Sequence, residues 1–199
     1  MEDDMAEHKK WIQKKSDLWS IPNILGYFRL ALIPVFAWIY MHADTAAENF
    51  AAACVIGVSG LTDMFDGKIA RHFNMITELG KLIDPVADKA TFGVILICMT
   101  IKHPWMLTVV ILFLLKEGFM AVMGLLLLKK NGRKLDGAMW YGKVCTAALY
   151  VIIVLIMLFP QMGGSVINGL IAAGAVIMAA TWAMYIPVFY KMWHSGPER

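Results

Sequence analysis

Six apolar segments, each roughly 20 residues long, dominate the sequence. They cover approximately residues 24–41, 50–71, 79–101, 105–128, 140–159 and 166–190. A helix needs about 20 apolar residues to cross the roughly 30 Å hydrocarbon core of a bilayer. Its backbone hydrogen bonds are then satisfied within the segment itself. We therefore predict an all-α integral membrane protein with six transmembrane helices.

The composition agrees with a membrane protein. Of the 199 residues, 59% are hydrophobic and only 17% are charged, whereas soluble domains are about 45–50% apolar and about 25% charged. The formal net charge of +3 is small. We expect membrane lipids around the chain and no nucleic-acid partner. Residues 21–199 are predicted to form one membrane domain, preceded by a separate segment at residues 1–20.

Residues 1–20 are predicted to form an amphipathic helix on the membrane surface. Trp11, Leu18 and Trp19 are seven and eight residues apart, so they would share one helical face, and four lysines lie among the other positions. That pattern is typical of a helix on an anionic membrane surface, although a frayed polar tail is the alternative. We expect no cleavable signal peptide, because no short apolar region with a small-residue cleavage site follows the first residues.

The basic residues alternate along the chain. They are concentrated before the first apolar segment, in the connections between segments 2 and 3 and between segments 4 and 5, and at the C-terminus. The connections between segments 1 and 2 and between segments 5 and 6 carry none, and the connection between segments 3 and 4 carries only Lys102. Because cytoplasmic loops are rich in Lys and Arg, both termini are predicted to be cytoplasmic.

Four aspartates lie near the cytoplasmic ends of segments 2 and 3. Asp63 and Asp66 are three residues apart and Asp84 and Asp88 are four apart, so each pair shares one face of a helix. Carboxylates within membrane spans are costly unless they face a wet cavity and are neutralised. Hard oxygen ligands suit Mg²⁺ or Mn²⁺. The sequence therefore predicts a two-metal site for phosphate chemistry.

The same stretch resembles the signature of the CDP-alcohol phosphotransferase, or CDP-alcohol phosphatidyltransferase, family. The fixed positions of that pattern are Asp63, Asp66, Gly67, Ala70, Arg71, Gly80, Asp84 and Asp88. Further stretches resemble the phosphatidylglycerophosphate synthase and cardiolipin synthase branch. They are Ile21-Pro22-Asn23 followed by Arg29, Leu82-x-Asp84-Pro85-x-Ala87-Asp88-Lys89, and Gly142-Lys143-Val144-x-Thr146. The resemblance covers nearly the whole chain from about residue 20.

The resemblance implies a homodimer in a bacterial inner membrane, with a polar cavity open to the cytoplasm and sideways to lipid. The donor would be CDP-diacylglycerol, attacked directly by an acceptor hydroxyl. Asp88 would be the general base and a further metal ligand. The metals and the donor diphosphate would be held by Asp63, Asp66 and Asp84. The cytidine and phosphates would be accommodated by Gly67, Ala70, Gly80 and Arg71. The cavity would be lined from the first helix by Asn23 and Arg29.

The acceptor alcohol is less constrained by the sequence. The basic run at residues 129–134, which includes Arg133, and Lys143 favour a phosphorylated acceptor, glycerol 3-phosphate, but the cytoplasmic bias of basic residues explains them equally well. Many phosphatidylglycerophosphate synthases carry an Arg-Glu pair where this chain has Lys116-Glu117, and Lys does not replace Arg at a bidentate phosphate site. Phosphatidylglycerol, the acceptor of a cardiolipin synthase, therefore stays open. Inositol phosphate is disfavoured.

Two other classes of function use the same residues differently. A divalent-cation transporter would use the aspartates as its pathway, but transporter sites usually lie near the bilayer midplane, whereas these carboxylates lie near one face. A scaffolding protein with acidic helix ends predicts that Asp88→Asn leaves function intact. Metal-dependent release of CMP distinguishes the enzyme from both.

Overall fold

The computed structural model of the chain describes residues 21–72, 78–131 and 139–194, with the backbone alone at residues 21, 22, 64, 66–72, 78–84 and 131. Within these ranges the chain forms six α-helices and no strand. They are α1 (Ile21–Met41), α2 (Ala46–His72), α3 (Glu78–Lys102), α4 (Met106–Asn131), α5 (Trp140–Leu158) and α6 (Gly164–His194). Each predicted apolar segment thus corresponds to one helix, with ends that differ by at most four residues.

A capping box begins α2 and keeps the connection from α1 short. The hydroxyl oxygen of Thr45 accepts a hydrogen bond from the backbone N–H of Glu48 at 3.3 Å. The Glu48 carboxylate accepts from the backbone N–H groups of Asp44 and Thr45, both at 2.8 Å. These bonds satisfy donors that the start of a helix leaves without intrahelical partners. As a result, α1 and α2 are neighbours in space and pack along each other.

The chain divides into two compact units, and the boundary falls between Cys98 and Met99 within α3. The first unit contains α1, α2 and most of α3. Side chains from all three helices are buried there, including Phe36, Tyr40, Ala52, Ile56 and Ile95. This unit carries the aspartates of the predicted site.

In the second unit, α6 packs against both α4 and α5. Aromatic rings fill the contact: the ring centroids of Tyr141 and Tyr185 are 4.8 Å apart, and those of Phe119 and Phe189 are 5.6 Å apart. Gly142 makes this approach possible, because a Cβ at that position would lie 2.3 Å from the hydroxyl oxygen of Tyr185. A glycine of the recognised Gly-Lys-Val-x-Thr stretch therefore has a packing role.

Four helices are long and apolar enough to cross a membrane, among the residues that the structure describes. They are the segments Asn23–Met41, Met106–Lys130, Trp140–Leu158 and Gly164–His194. Many large apolar side chains point away from the protein: Trp38, Phe50, Leu114, Leu125 and Val176 are each more than half exposed. Apolar surface on this scale is compatible with a lipid environment rather than water. The chain is an all-α integral membrane protein. The predicted interfacial helix at residues 1–20 lies outside the described residues.

Replacing Gly142 by Ala is expected to destabilise the second unit. The new Cβ would overlap the hydroxyl of Tyr185, which is buried and interacts with the backbone of Met139, so the ring has little freedom to move. We expect a loss of about 1–3 kcal/mol, the usual cost of overpacking, measured by thermal unfolding in detergent.

Gly124→Ala is the matched control for that substitution. Gly124 is also helical, but a Cβ there would meet nothing within 4 Å. Alanine should therefore be neutral or slightly stabilising, by up to about 1 kcal/mol, because it restricts the unfolded chain and favours helix. Equal stability of the two variants would show that the contact between Gly142 and Tyr185 does not limit packing.

Candidate active site

Asp63 and Asp88 are brought to the same level by the geometry of α2 and α3. Asp63 lies nine residues before the last residue of α2, and Asp88 lies ten residues after the first residue of α3. At about 1.5 Å of rise per residue, both lie ~15 Å along their helices from the connection at residues 73–77. Their shared contact with Arg29 brings the two carboxylates together at this level.

Arg29 of α1 joins the two carboxylates. Its Nη1 atom lies 2.5 Å from Oδ1 of Asp63, and the same Nη1 donates a hydrogen bond to Oδ1 of Asp88. One nitrogen of one guanidinium thus contacts carboxylates from two different helices. The Oδ1 atoms of Asp63 and Asp88 thus converge on the cationic guanidinium of Arg29.

The three side chains differ sharply in exposure. Arg29 is 2% exposed, whereas the side chains of Asp63 and Asp88 are 44% and 53% exposed. A buried guanidinium is costly unless paired, and in α1 it is the only charged residue among 21. The aspartates neutralise it, and their open sides stay accessible. The three described side chains that are joined here carry a formal charge of −1 together.

Polar side chains are buried on all three helices of the first unit. Asn23 is buried on α1, and Ser59 and Thr91 are buried one turn before Asp63 and one turn after Asp88. Ser59 and Thr91 line a small cavity that is otherwise apolar, with α1, α2 and α3 all contributing. The surroundings of the carboxylates therefore change from polar to apolar within about one helical turn.

The remaining residues of the signature fall within the same two helices. The α2 helix contains Asp66, Gly67, Ala70 and Arg71, and the α3 helix contains Gly80 and Asp84. Their side chains lie outside the described part of the structure. The helical backbone at these positions supports the spacing argument, since residues three or four apart lie on one helical face. Their individual roles stay predictions.

The described carboxylates are compatible with a divalent metal. No group of three or more His, Cys, Asp and Glu side chains is found among the described residues, and that search could not include the side chains of Asp66 and Asp84. Asp63 and Asp88 nevertheless present oxygens to one common cation, as metal ligands must. Carboxylate oxygens are the ligands that Mg²⁺ and Mn²⁺ prefer.

The three predicted acceptor residues belong to the second part of the chain. Lys116 is buried on α4, and its Nζ lies 2.7 Å from Oε1 of the adjacent Glu117. Lys143 is exposed on α5, and Arg133 lies outside the described residues. The ion pair neutralises Lys116. Lys143 is therefore more available to an anion than Lys116 is. Contact with an acceptor stays a prediction for all three.

Arg29 was expected to line the cavity, but its ion pairs with Asp63 and Asp88 were not predicted from the sequence. A signal was available, because a lone arginine within an apolar helix requires an acidic partner. The sequence does not show which aspartates pair with Arg29, because Asp88 is 59 positions away along the chain. The pairing of Lys116 with Glu117 was not predictable from their adjacency, because consecutive residues of a helix do not face each other.

Comparison with known proteins places these features in a family. The family model for CDP-alcohol phosphatidyltransferase matches residues 19–193. A probable phosphatidylglycerophosphate synthase of Mycobacterium tuberculosis is 34% identical over 85% of this chain and 78% of its own length. A cardiolipin synthase (CMP-forming) of Streptomyces coelicolor is 30% identical, with 89% and 79% covered.

A third relative is the CDP-diacylglycerol–glycerol-3-phosphate 3-phosphatidyltransferase of Escherichia coli. It is 30% identical over 72% of this chain and 79% of its own length. The family match spans all six helices and includes the paired aspartates on α2 and α3 together with Arg29. This protein belongs to the CDP-alcohol phosphatidyltransferase family, whose members are enzymes that transfer phosphatidyl groups.

Proposed function

We propose that this enzyme transfers the phosphatidyl group of CDP-diacylglycerol to glycerol 3-phosphate and releases CMP. The observation that carries the chemistry is the convergence of Asp63 and Asp88 on one cation. Similarity to relatives named for phosphatidylglycerophosphate synthesis and for glycerol-3-phosphate transfer supports the acceptor.

The reaction exchanges a phosphoanhydride bond of the donor for a new phosphoester bond to the acceptor. The acceptor oxygen forms a bond to the lipid-side phosphorus of the donor, and the bond from that phosphorus to the oxygen bridging to CMP breaks. CMP leaves with the bonding electron pair. The acceptor hydroxyl gives up its proton, so a base within hydrogen-bond reach is required.

Asp88 is proposed as that base. Its side chain is half exposed, so an incoming hydroxyl can approach it. A positioned base contributes roughly 10²–10⁴-fold to rate. Direct attack by the acceptor needs no covalent enzyme intermediate.

The donor site is proposed to lie along α2 and the start of α3. Asp63, Asp66, Asp84 and Asp88 would hold two divalent ions, Mg²⁺ or Mn²⁺, which when bound would neutralise the donor diphosphate. Backbone positions without large side chains would make room for the cytidine, and a guanidinium would pair with phosphate oxygens. The residues proposed for these roles are Gly67, Ala70, Gly80 and Arg71.

The acceptor site is proposed to use basic side chains. Glycerol 3-phosphate carries a phosphate dianion, which charge-assisted hydrogen bonds from Lys and Arg would recognise. Lys143 and Arg133 are the main candidates, because Lys116 is paired with Glu117. The second candidate function is that of a cardiolipin synthase, with phosphatidylglycerol as the acceptor, and it is supported by the relative of that name.

In the membrane, we propose six crossings with both termini and the active site facing the cytoplasm of a bacterial inner membrane. Helices α2 and α3 have 27 and 25 residues, so at about 1.5 Å per residue they exceed the ~30 Å core. Burial, and then the nearby charge of Lys102, lower the pKa of His103. His103 therefore adds little positive charge to the α3–α4 connection. A homodimer and the interfacial helix at residues 1–20 complete the proposal.

The proposed function is tested by measuring CMP release from CDP-diacylglycerol by the detergent-purified protein. Glycerol 3-phosphate, phosphatidylglycerol and inositol phosphate are offered separately, with Mg²⁺ or Mn²⁺ and with chelator. We expect metal-dependent release with glycerol 3-phosphate. Release with phosphatidylglycerol alone would identify the cardiolipin synthase activity. No release with any acceptor would refute the proposal.

Asp88→Asn is expected to lower kcat by about 10²–10⁴-fold, because the amide cannot accept the acceptor proton. The protein should still fold, since the amide oxygen can keep a hydrogen bond from Arg29. Steady-state kinetics with glycerol 3-phosphate measure the effect. Asp44→Asn, in the exposed α1–α2 connection, is the control and should retain wild-type activity. A kcat within threefold of wild type for Asp88→Asn would refute the base assignment.

Lys143→Gln is expected to raise KM for glycerol 3-phosphate by about tenfold and to leave KM for CDP-diacylglycerol unchanged. A lost charge-assisted hydrogen bond costs about 1.5–3 kcal/mol, which corresponds to tenfold or more in affinity. Lys191→Gln, near the end of α6, serves as a control for general loss of positive charge. An equal rise in both KM values, or the same effect in the control, would contradict a specific acceptor contact.

A further inference from the structure

We propose that Arg29 is an internal counter-ion that holds Asp63 and Asp88 together in the metal-free enzyme and competes with the divalent cation for them. This inference rests on the proposed function, because it concerns the same carboxylates. It assigns to Arg29 a positioning role that differs from lining the cavity or contacting a substrate.

The contact geometry is the first argument. Arginine commonly engages one carboxylate through two parallel N–H groups. Here a single atom, Nη1, is shared between Oδ1 of Asp63 and Oδ1 of Asp88. The nitrogen therefore lies between two oxygens from two helices, in the position of a bridging cation.

The difference in burial is the second argument. Arg29 approaches from the buried side at 2% exposure, while about half of each aspartate side chain remains open. A divalent ion entering from the open side would meet oxygens that already carry a guanidinium. Two cations bound to the same oxygens repel each other, so full coordination requires Arg29 to release at least one carboxylate.

The electrostatics of the metal-free site are the third argument. Without a cation, the two carboxylates would face each other within membrane helices, where uncompensated charge is costly. Arg29 provides that compensation and links α1 to both α2 and α3. It stabilises the metal-free protein and, by linkage, weakens the binding of the ion that replaces it.

A purely structural ion pair would behave differently. Its removal would lower stability equally with and without metal. The pair of Lys116 and Glu117 offers the matched comparison, because Lys116 is likewise buried and ion-paired, at 2.7 Å, but belongs to the second unit. Lys116→Gln should reduce the melting temperature by the same amount in chelator and in Mn²⁺.

The test uses the full chain in detergent without donor and compares wild type, Arg29→Gln, Arg29→Lys and Lys116→Gln. Thermal unfolding is recorded in EDTA and in saturating Mn²⁺, and Mn²⁺ affinity is measured from the free-ion signal in electron paramagnetic resonance. For Arg29→Gln we expect a melting temperature lower by about 6 °C or more in EDTA and a smaller deficit in Mn²⁺. Its Kd for Mn²⁺ should be about tenfold lower than that of wild type. Arg29→Lys keeps the charge and should have a Kd closer to wild type.

If Arg29→Gln does not fold, the wild-type protein provides a second measurement. With ¹⁵N-labelled arginine, the guanidinium signal of Arg29, assigned with Arg29→Lys, should change on adding Mg²⁺, because at least one of its carboxylate contacts is lost. An unchanged signal at saturating Mg²⁺ would overturn the inference. So would wild-type or weaker Mn²⁺ affinity in a folded Arg29→Gln protein, with the proposed metal site intact. Absence of Mn²⁺ binding by wild type would overturn both the inference and the metal-dependent mechanism.

Discussion

A positive charge buried within an apolar helix is the constraint on which the first unit of this protein depends. Arg29 cannot occupy α1 without anionic partners, and its partners are Asp63 and Asp88 on α2 and α3. The ion pairs therefore do more than neutralise a charge. They connect the first helix to both helices of the signature and direct two carboxylates toward one point.

The second unit is organised by packing instead of charge. The α6 helix lies against α4 and α5, and the aromatic cluster of Tyr141, Tyr185 and Phe189 depends on the missing side chain at Gly142. This unit also carries Lys116 and Lys143, which the sequence connects with the acceptor. The residues proposed for the donor and those proposed for the acceptor thus belong to different units of one chain.

The six helices were predictable because the hydrocarbon core imposes a length of about 20 apolar residues on each crossing. The paired aspartates were predictable too, because helical periodicity places residues three or four apart on one face. The partners of Arg29 were not predictable, because they depend on how α1 packs against α2 and α3. Asp63 and Asp88 lie 34 and 59 residues after Arg29 in the sequence. The contact between Gly142 and Tyr185 was hidden for the same reason: it joins helices whose relative rotation no local pattern determines. Neither the helical periodicity nor the length of the apolar segments identifies the acceptor alcohol. The support for glycerol 3-phosphate comes from similarity to named relatives.

Anomalous diffraction from crystals of the wild-type protein grown with Mn²⁺ would locate the ion relative to Arg29 and the two aspartates. We expect Mn²⁺ within about 2.2 Å of carboxylate oxygens of Asp63 and Asp88, with the guanidinium of Arg29 withdrawn from at least one of them. Mn²⁺ bound elsewhere, or bound at this site while Arg29 still bridges both aspartates, would contradict it.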